Sequence, residues 1–254
     1  MKKKLQNIIN FLYRYSVVFA ILVLWQMLTY FGILPEFAFS SPLSAGKAFA
    51  DDFSLMMNHT LYTFVEMIIG IVIAIFLAFV LSIIMDWSKL CYEIFYPPII
   101  ITQTIPSFAI APLLVVWLGY GMEPKIVLVI MTVFFPILIA LLDGYRSVDA
   151  DSIKLLQSMG ATKWQTYWHV KFPASINYFF AGLRVSISYS LIAAVVAEWL
   201  GGNQGLGVYM TRVRKAYAID KIFATIFFIA ILSLALMAMV DYIHRKVVKY
   251  EERK

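Results

Sequence analysis

Three ionisable side chains interrupt the long apolar runs of this sequence, and they are the first candidates for chemistry. Glu66 lies near the start of one run, and Arg184 and Glu198 lie within another. A charge at membrane depth is costly, so such residues normally face protein or water. For Glu66 and Glu198 the sequence leaves open an interfacial position or a role at the outer mouth of a pathway. For Arg184 the alternative is a side chain that extends back to the membrane surface.

A second group of polar residues surrounds two prolines in the apolar run Ile94–Met122. Pro106 and Pro112 lack backbone donors and bend a helix. Such breaks are tolerated where neighbouring helices or a water-filled cavity satisfy the freed carbonyls. The polar neighbours of these prolines are Gln103, Thr104 and Ser107. We interpret this segment as a helix that lines a pathway, with a kinked packing helix as the alternative.

The sequence contains no motif for catalysis. It has no G-x-x-x-x-G-K-[ST] phosphate loop and no H-E-x-x-H motif, and Gly205-Leu206-Gly207 is too short for a nucleotide fingerprint. The single cysteine, Cys91, forms no cysteine cluster, and the histidines are scattered at His59, His169 and His244. We therefore expect no catalytic residue, metal or other cofactor in this chain, so any use of ATP belongs to a partner.

The stretch from Ser147 to Pro173 is too polar to cross a membrane, yet it is strongly patterned. Apolar side chains recur at helical spacing in its first half, at Ile153, Leu156 and Met159. Aromatic side chains do so in its second half, at Trp164, Tyr167 and Trp168. The pattern predicts two short amphipathic helices that are joined at Gly160, with Pro173 ending the second. Such a knob can lay its apolar face in a partner's groove, or it can pack on its own bundle or at the lipid surface.

The elements that carry these residues are predicted to be membrane helices. The chain is 62% hydrophobic and 14% charged, whereas a soluble domain is about half apolar and about a quarter charged. A helix of roughly 20 apolar residues spans the bilayer core. The runs that approach this length are Ser16–Leu34, Leu61–Met85, Ile94–Met122, Ile126–Leu142, Phe172–Leu200 and Ile222–Val240. We therefore expect an all-α polytopic membrane protein, one domain over residues 1–254, with about six transmembrane helices and a cytoplasmic loop at 147–173.

The Lys and Arg residues predict the orientation. With the N-terminus inside, the inner segments carry more Lys and Arg than the outer ones, and six helices return the C-terminus to the same side. The outer loop Gly201–Lys221 departs from this bias because it carries Arg212, Arg214 and Lys215. The net charge of +6 belongs mostly to these connecting segments, so it does not indicate nucleic-acid binding.

The pattern of the 147–173 loop resembles the cytoplasmic signature of permeases in binding-protein-dependent ABC importers. That signature reads E-A-A, three residues, Gly, nine residues, Ile, one residue, Leu-Pro. The chain has Lys154-Leu155-Leu156, then Gly160, then Val170, then Phe172-Pro173, so Lys154 stands where the family has glutamate. The resemblance implies that this loop is the coupling element that docks on an ATPase subunit. The residues assigned to it are Lys154, Leu156, Met159, Gly160, Trp164, Trp168 and Pro173.

The resemblance extends over nearly the whole chain, to the branch that handles nitrate, sulfonates, taurine and thiamine precursors. Thr102–Gly121 and residues 147–160 are similar to permeases for the pyrimidine precursor of thiamine. The resemblance implies a homodimeric, lipid-embedded permease of the bacterial inner membrane. It also implies a separate ATPase subunit that holds ATP and magnesium, and an extracytoplasmic substrate-binding protein. The implied cargo is a small polar solute, first a thiamine pyrimidine precursor, with alkanesulfonate, taurine or a riboflavin-type molecule as alternatives.

A stand-alone secondary transporter is the competing class. Secondary transporters usually show internal repeats and charge pairs deep in the membrane, and the sequence shows neither. A membrane-embedded enzyme would need a nucleophile, metal or acid–base group of residues at one membrane depth, and none is apparent. These considerations favour the importer permease.

Overall fold

The computed structural model of the chain describes residues 2–35 and 38–248, and these residues are helical almost throughout. The helices are α1 Lys2–Tyr30, α2 Pro42–Asp51, α3 Phe53–Trp87, α4 Lys89–Thr104, α5 Ser107–Leu118, α6 Glu123–Arg146, α7 Ala150–Ser158, α8 Lys163–Thr166, α9 Phe172–Leu200, α10 Leu206–Lys215 and α11 Ile219–Val247. A π-helical turn, Tyr167–Lys171, joins α8 to α9. No strand occurs in the described ranges, so the predicted all-α class is confirmed. Met1 and residues 249–254, at the termini predicted to be cytoplasmic, lie outside the described residues.

The predicted apolar runs are mainly helical, and the run Ile94–Met122 is divided between α4 and α5. Within the described ranges, the segments that are long and apolar enough to cross a membrane are Phe53–Trp87, Glu123–Arg146, Lys163–Leu200 and Ile219–Val247. The helices α4 and α5 meet the same criterion only as a pair, which is a broken span or a re-entrant loop, and the apolar part of α1, Ser16–Tyr30, is shorter. The predicted polytopic membrane protein is therefore confirmed.

The third apolar run is broken rather than continuous. The axes of α4 and α5 differ by 96°. Ile105 between them is extended, with φ −85° and ψ 118°, because the residue before a proline is pushed out of the helical region. Pro106 is the N-cap residue of α5, whereas Pro112 lies inside that helix. The break therefore lies just before Pro106, and Pro112 does not interrupt the helix.

The chain forms two compact units, Met1–Met57 with Tyr209–Phe228, and Asn58–Val208 with Ile229–Lys254. The larger unit is built on the close approach of α6 and α9. A Cβ added to Gly182 would lie 2.7 Å from the Cβ of Ala140 and 2.8 Å from the carbonyl oxygen of Pro136. Small residues let membrane helices come this close, and their packing replaces the hydrophobic driving force that lipid does not provide. The single domain over residues 1–254 stays a prediction.

The smaller unit is held by aromatic packing and by one polar cluster. The Trp25 ring lies 5.2 Å from that of Phe223, centre to centre. Asp52 Oδ2 accepts a hydrogen bond from the Tyr209 hydroxyl at 2.7 Å and pairs with Lys221 Nζ at 2.7 Å. The hydrogen bond from Lys221, and then that from Tyr209, hold the pKa of Asp52 below its usual value. Burial, followed by the contact with Asp52, raises the pKa of Tyr209.

Candidate functional site

The predicted knob is present, and its first helix is α7. Asp149 caps α7, because its Oδ2 accepts a hydrogen bond from the Ser152 N–H at 3.3 Å. The helix ends at Ser158, and Gly160, just beyond the cap, has a φ of +84° in the left-handed region that favours glycine. The Gly160 N–H donates to the Gln157 carbonyl at 3.0 Å, which closes the last turn.

The second helix of the knob starts with a reciprocal cap. The Gln165 N–H donates to Thr162 Oγ1 at 3.2 Å, and the Thr162 N–H donates to Gln165 Oε1 at 2.8 Å. The prediction that Pro173 ends this helix is wrong, since the helix continues from Lys163 to Leu200. The reason is local: the chain widens into the π-helical turn just before Pro173, which lies in the first turn of α9 and needs no donor there.

The aromatic side chains of the knob pack partly on the chain's own bundle. Tyr167 is buried, and its hydroxyl lies 2.9 Å from that of Tyr145. The Trp164 ring packs edge to face on that of Trp87, with centroids 5.6 Å apart. Trp164 and Trp168 nevertheless remain about half exposed. The knob is therefore anchored to α3 and α6 while a part of its aromatic surface stays accessible.

An ion pair fixes the base of the knob. Lys171 Nζ lies 2.7 Å and 2.8 Å from the two carboxylate oxygens of Asp86, near the end of α3. Beside this pair lies a small cavity of about 160 Å³. Its walls include Asp86, Trp87, Ile153, Gln157, Lys163 and Lys171. The cavity separates α7 from the end of α3, so the two parts are in incomplete contact there.

The apolar side chains predicted to share one face of α7 differ in burial. Ile153 and Leu156 are partly buried, whereas Met159 is 75% exposed. Leu155, which the pattern did not single out, is 62% exposed. Leu155 and Met159 are four residues apart and share one helix face, so they form an exposed apolar pair. Lys154 is exposed and pairs with Asp151 at 3.0 Å.

The candidate pathway residues surround the bend between α4 and α5. Gln103, Thr104, Pro106 and Pro112 are exposed in the single chain, and Ser107 is partly buried. The Thr104 hydroxyl donates to the Ile101 carbonyl at 2.7 Å, which satisfies it within its own helix. The inner face of α5, through Ala111 and Leu114, packs with Leu128 and Ala197. The bend therefore presents polar groups on an outer surface of the described bundle.

Glu66 and Glu198 are buried inside the protein, while their depth in the membrane stays a prediction. Both residues are 1% exposed. Glu66 Oε1 accepts a hydrogen bond from Lys125 Nζ at 2.9 Å, and Lys125 is itself buried. Glu198 Oε1 accepts from the Thr63 hydroxyl at 2.7 Å. The two carboxyl groups thus belong to a buried polar network among α3, α6 and α9, separate from the polar groups at the α4–α5 bend.

Arg184 pairs with a carboxylate on α11, and whether it reaches the membrane surface stays a prediction. Its Nε donates to Asp241 Oδ1 on α11 at 2.6 Å. Asp241 lies just after the last apolar run, whereas Arg184 lies inside the preceding one. No local sequence pattern links these two residues. The two side chains are 42% and 34% exposed, so the ion pair lies at the surface of the bundle.

Four charged residues of these networks were missed by the sequence analysis: Asp86, Lys125, Lys171 and Asp241. Each lies at or near the end of an apolar run. Their shared signal is a single charge beside an apolar run, and in the fold each faces an opposite charge from another element. In the part of the chain that the structure describes, no three His, Cys, Asp or Glu side chains gather as metal ligands. The arrangement is suited to packing, docking and ion pairing.

Comparison with known proteins identifies this class of molecule. Residues 70–249 match the family described as binding-protein-dependent transport system inner membrane component. The match covers more than half of the chain, so the protein belongs to this family of inner-membrane permeases. It is a multi-pass permease component of an ABC transporter, a subunit that is not itself an enzyme. The family works generally with an ATPase and a substrate-binding protein.

Several relatives are similar over most of their length. A probable ABC transporter permease protein of Haemophilus influenzae is 32% identical over 90% of this chain and 94% of its own length. The formylaminopyrimidine transport permease protein ThiX of Halalkalibacterium halodurans is 34% identical over 71% of this chain and 72% of its own. The riboflavin transport system permease protein RibX of Chloroflexus aurantiacus is 29% identical over 91% of this chain and 87% of its own.

Proposed function

We propose that the chain imports a thiamine pyrimidine precursor. The observation that carries the proposal is the 34% identity to a permease named for formylaminopyrimidine transport. It agrees with the resemblance of Thr102–Gly121, around the α4–α5 bend, to permeases for that class of cargo. A flat, polar, aromatic solute also suits a segment that combines the exposed ring of Phe108 with the amide of Gln103.

The coupling step is assigned to the knob, residues 147–173. An ATPase subunit that binds ATP and magnesium docks on the exposed pair Leu155 and Met159, with the exposed edge of Trp164 beside it. Exposed apolar side chains at i and i+4 are the anchors by which a short helix fits a partner's groove. Lys154, in place of the family's glutamate, adds a positive charge next to this surface.

The transport route is assigned to the bend between α4 and α5 in a dimer. Exposed polar groups at membrane depth, such as Gln103 and Thr104, are costly in lipid, so a second copy of the chain or water covers them. Two copies related by a twofold axis place the same bend on both sides of a central passage. The substrate-binding protein delivers cargo from the outer side, and the termini lie in the cytoplasm.

Two other cargoes have specific support. RibX is named for riboflavin, another flat heterocycle, so a riboflavin-type cargo is the nearer alternative. The branch resemblance also includes permeases for alkanesulfonates and taurine. An anionic sulfonate would bring a negative charge, and cations such as Arg212 and Arg214 on α10 would favour it if they faced the route.

A growth experiment separates these cargoes. The gene for this chain is deleted in a strain that cannot make the thiamine pyrimidine moiety, and the precursor is supplied at limiting concentration. We expect growth to fail after deletion and to return with the wild-type gene. Unchanged growth on the precursor, with loss of growth on a sulfonate as sole sulfur source or on limiting riboflavin in a riboflavin auxotroph, would contradict the proposal and assign the alternative cargo.

A further inference from the structure

Two carboxyl groups share one lysine inside the larger unit. Glu66 on α3, Glu198 on α9 and Lys125 on α6 are 1%, 1% and 4% exposed. Lys125 Nζ donates to Glu66 Oε1 at 2.9 Å. If both glutamates were ionised, the cluster would carry one uncompensated negative charge away from water. Burial of an unpaired charge costs several kcal/mol, and burial within a membrane helix bundle makes the cost more severe.

The second oxygen of Glu66 lacks a donor. Glu66 Oε2 is buried and has no hydrogen-bond partner among the described residues. The neighbouring carboxyl group is that of Glu198, whose Oε1 accepts the Thr63 hydroxyl one helical turn before Glu66 on α3. Two ionised carboxylates are both acceptors and repel each other, whereas one hydrogen between them joins them. A proton on one of the two carboxyl groups therefore gives Glu66 Oε2 a hydrogen-bond partner. It also makes the cluster of two glutamates and one lysine electrically neutral.

We propose that Glu66 and Glu198 form a proton-binding site, with a single proton held between the two side chains and Lys125 balancing the remaining charge. The site goes beyond the proposed import function, because it concerns a ligand other than the cargo. The other charged or titratable groups at the cluster come from two elements. Lys125 comes from α6, and His59, on α3, accepts the Gly205 N–H through Nδ1 at 3.0 Å, which leaves no hydrogen on that nitrogen.

The site is coupled to the loop that follows α9. The Gly207 N–H donates to Glu198 Oε2 at 2.5 Å, and the Leu206 N–H donates to Thr63 Oγ1 at 2.9 Å. Since Thr63 accepts from Leu206, its own hydrogen is available for Glu198 at 2.7 Å. The pair of glutamates thus binds one proton and also holds residues 205–207 on the bundle.

Gly205, just before α10, shows how closely this part of the chain lies on the cluster. Gly205 has a φ of +118°, and a Cβ added to it would overlap the carboxyl group of Glu198. A Cβ on Gly202 would lie 2.7 Å from Lys125 Nζ. Loss of the proton leaves two negative charges beside one lysine. Repulsion between the carboxylates of Glu66 and Glu198 then pushes Glu198 away from the position in which it accepts the Gly207 N–H. Deprotonation therefore weakens the attachment of the loop.

Infrared spectroscopy and hydrogen exchange test the site on the full chain in lipid nanodiscs. We expect a protonated-carboxyl C=O band in the wild type at neutral pH that disappears at alkaline pH. The band is lost in both Glu66→Gln and Glu198→Gln. We expect the protection of the 205–207 amides, corrected for intrinsic exchange, to fall by up to about tenfold for each pH unit as pH rises, and to level off once the attached loop has also released the proton. Glu66→Gln supplies a permanent N–H and removes the excess charge, so its loop stays protected at alkaline pH.

Amides of the α6–α9 core, such as those of Leu138 and Leu191, report whether a variant is folded. The wild-type titration needs no variant and decides the case if a variant fails to fold. The absence of the carboxyl band at neutral pH, as a buried water on Glu66 Oε2 would produce, overturns the proposal. A loop protection that is independent of pH in the wild type, or that follows sodium concentration at constant pH, overturns it as well.

Discussion

Lys171 and Asp86 join the knob to the membrane bundle through two hydrogen bonds, from one ammonium group to both carboxylate oxygens at 2.7 and 2.8 Å. Asp86 lies near the end of α3, and Lys171 is the last residue of the π-helical turn before α9. Both side chains are largely buried, at 13% and 20% exposed. A partner that moves the knob therefore acts on α3 and α9 together, which is a direct physical route from docking to the membrane helices.

Removal of one partner of this pair is expected to loosen the knob. Asp86→Ala leaves the Lys171 ammonium partly buried without its carboxylate, at a cost of about 1–3 kcal/mol. The measurement is hydrogen exchange over residues 163–171 together with the melting temperature in detergent. Lys154→Ala is the matched control, because its pair with Asp151 is 73% and 83% exposed, and it should change stability by less than about 0.5 kcal/mol. Equal effects of the two variants would show that the buried pair has no special role.

The predicted orientation is testable with single cysteines. Ser147→Cys and Lys215→Cys, each in a Cys91→Ser background, place an exposed thiol on the knob side and on α10. An impermeant thiol reagent applied to intact spheroplasts should label position 215 and leave position 147 unlabelled until the membrane is permeabilised. The reverse pattern would invert the topology and remove the knob from the compartment of the ATPase.

Asp52 is expected to give the smaller unit an acid-sensitive contribution to stability. Its pKa is lowered by the hydrogen bond from Lys221 and then that from Tyr209, so folding favours the ionised form. The contribution is complete above the unfolded pKa of about 3.9 and is lost as pH falls through the lower folded value. Asp52→Asn should flatten the acid branch of a plot of melting temperature against pH and leave its neutral region level. An acid branch parallel to that of the wild type would contradict this assignment.

The spans and the knob could be predicted from sequence because their signals are local. Continuous apolar length predicts the runs Leu61–Met85 and Ile222–Val240 without knowledge of their neighbours, and both lie inside the observed spans Phe53–Trp87 and Ile219–Val247. Gly160 predicts a break because glycine readily adopts a positive φ, and the structure has a φ of +84° there. The bend at Pro106 was also foreseeable, since proline restricts the residue before it. These features depend only on residues within one continuous segment of the chain.

The ion pairs and the continuation of the knob into α9 could not be predicted in the same way. Lys171 and Asp86 are separated by 85 positions in the chain, and Lys125 and Glu66 by 59. Their pairing depends on which helices become neighbours, and no local pattern determines that. Pro173 was assigned as a helix end because proline usually is one, but the π-helical turn accommodates it at the start of α9.

The exposed pair on α7 gives the clearest test of ATPase docking. Leu155→Asp together with Met159→Asp places two charges on an already exposed face, so the fold should persist while an apolar groove rejects the helix. The matched control is Leu155→Met with Met159→Leu, which keeps the surface apolar at nearly constant volume. Melting temperatures of both variants in detergent establish that they are folded.

The decisive measurement is affinity purification of the tagged chain from native membranes, with mass spectrometry of what is retained. We expect an ATPase that carries a G-x-x-x-x-G-K-[ST] phosphate loop to co-purify in near-equal amount with the wild type and with the apolar-swap control, and to be lost from the double aspartate variant. A wild-type chain that is recovered without any such ATPase, or a double aspartate variant that retains it undiminished, would contradict the account.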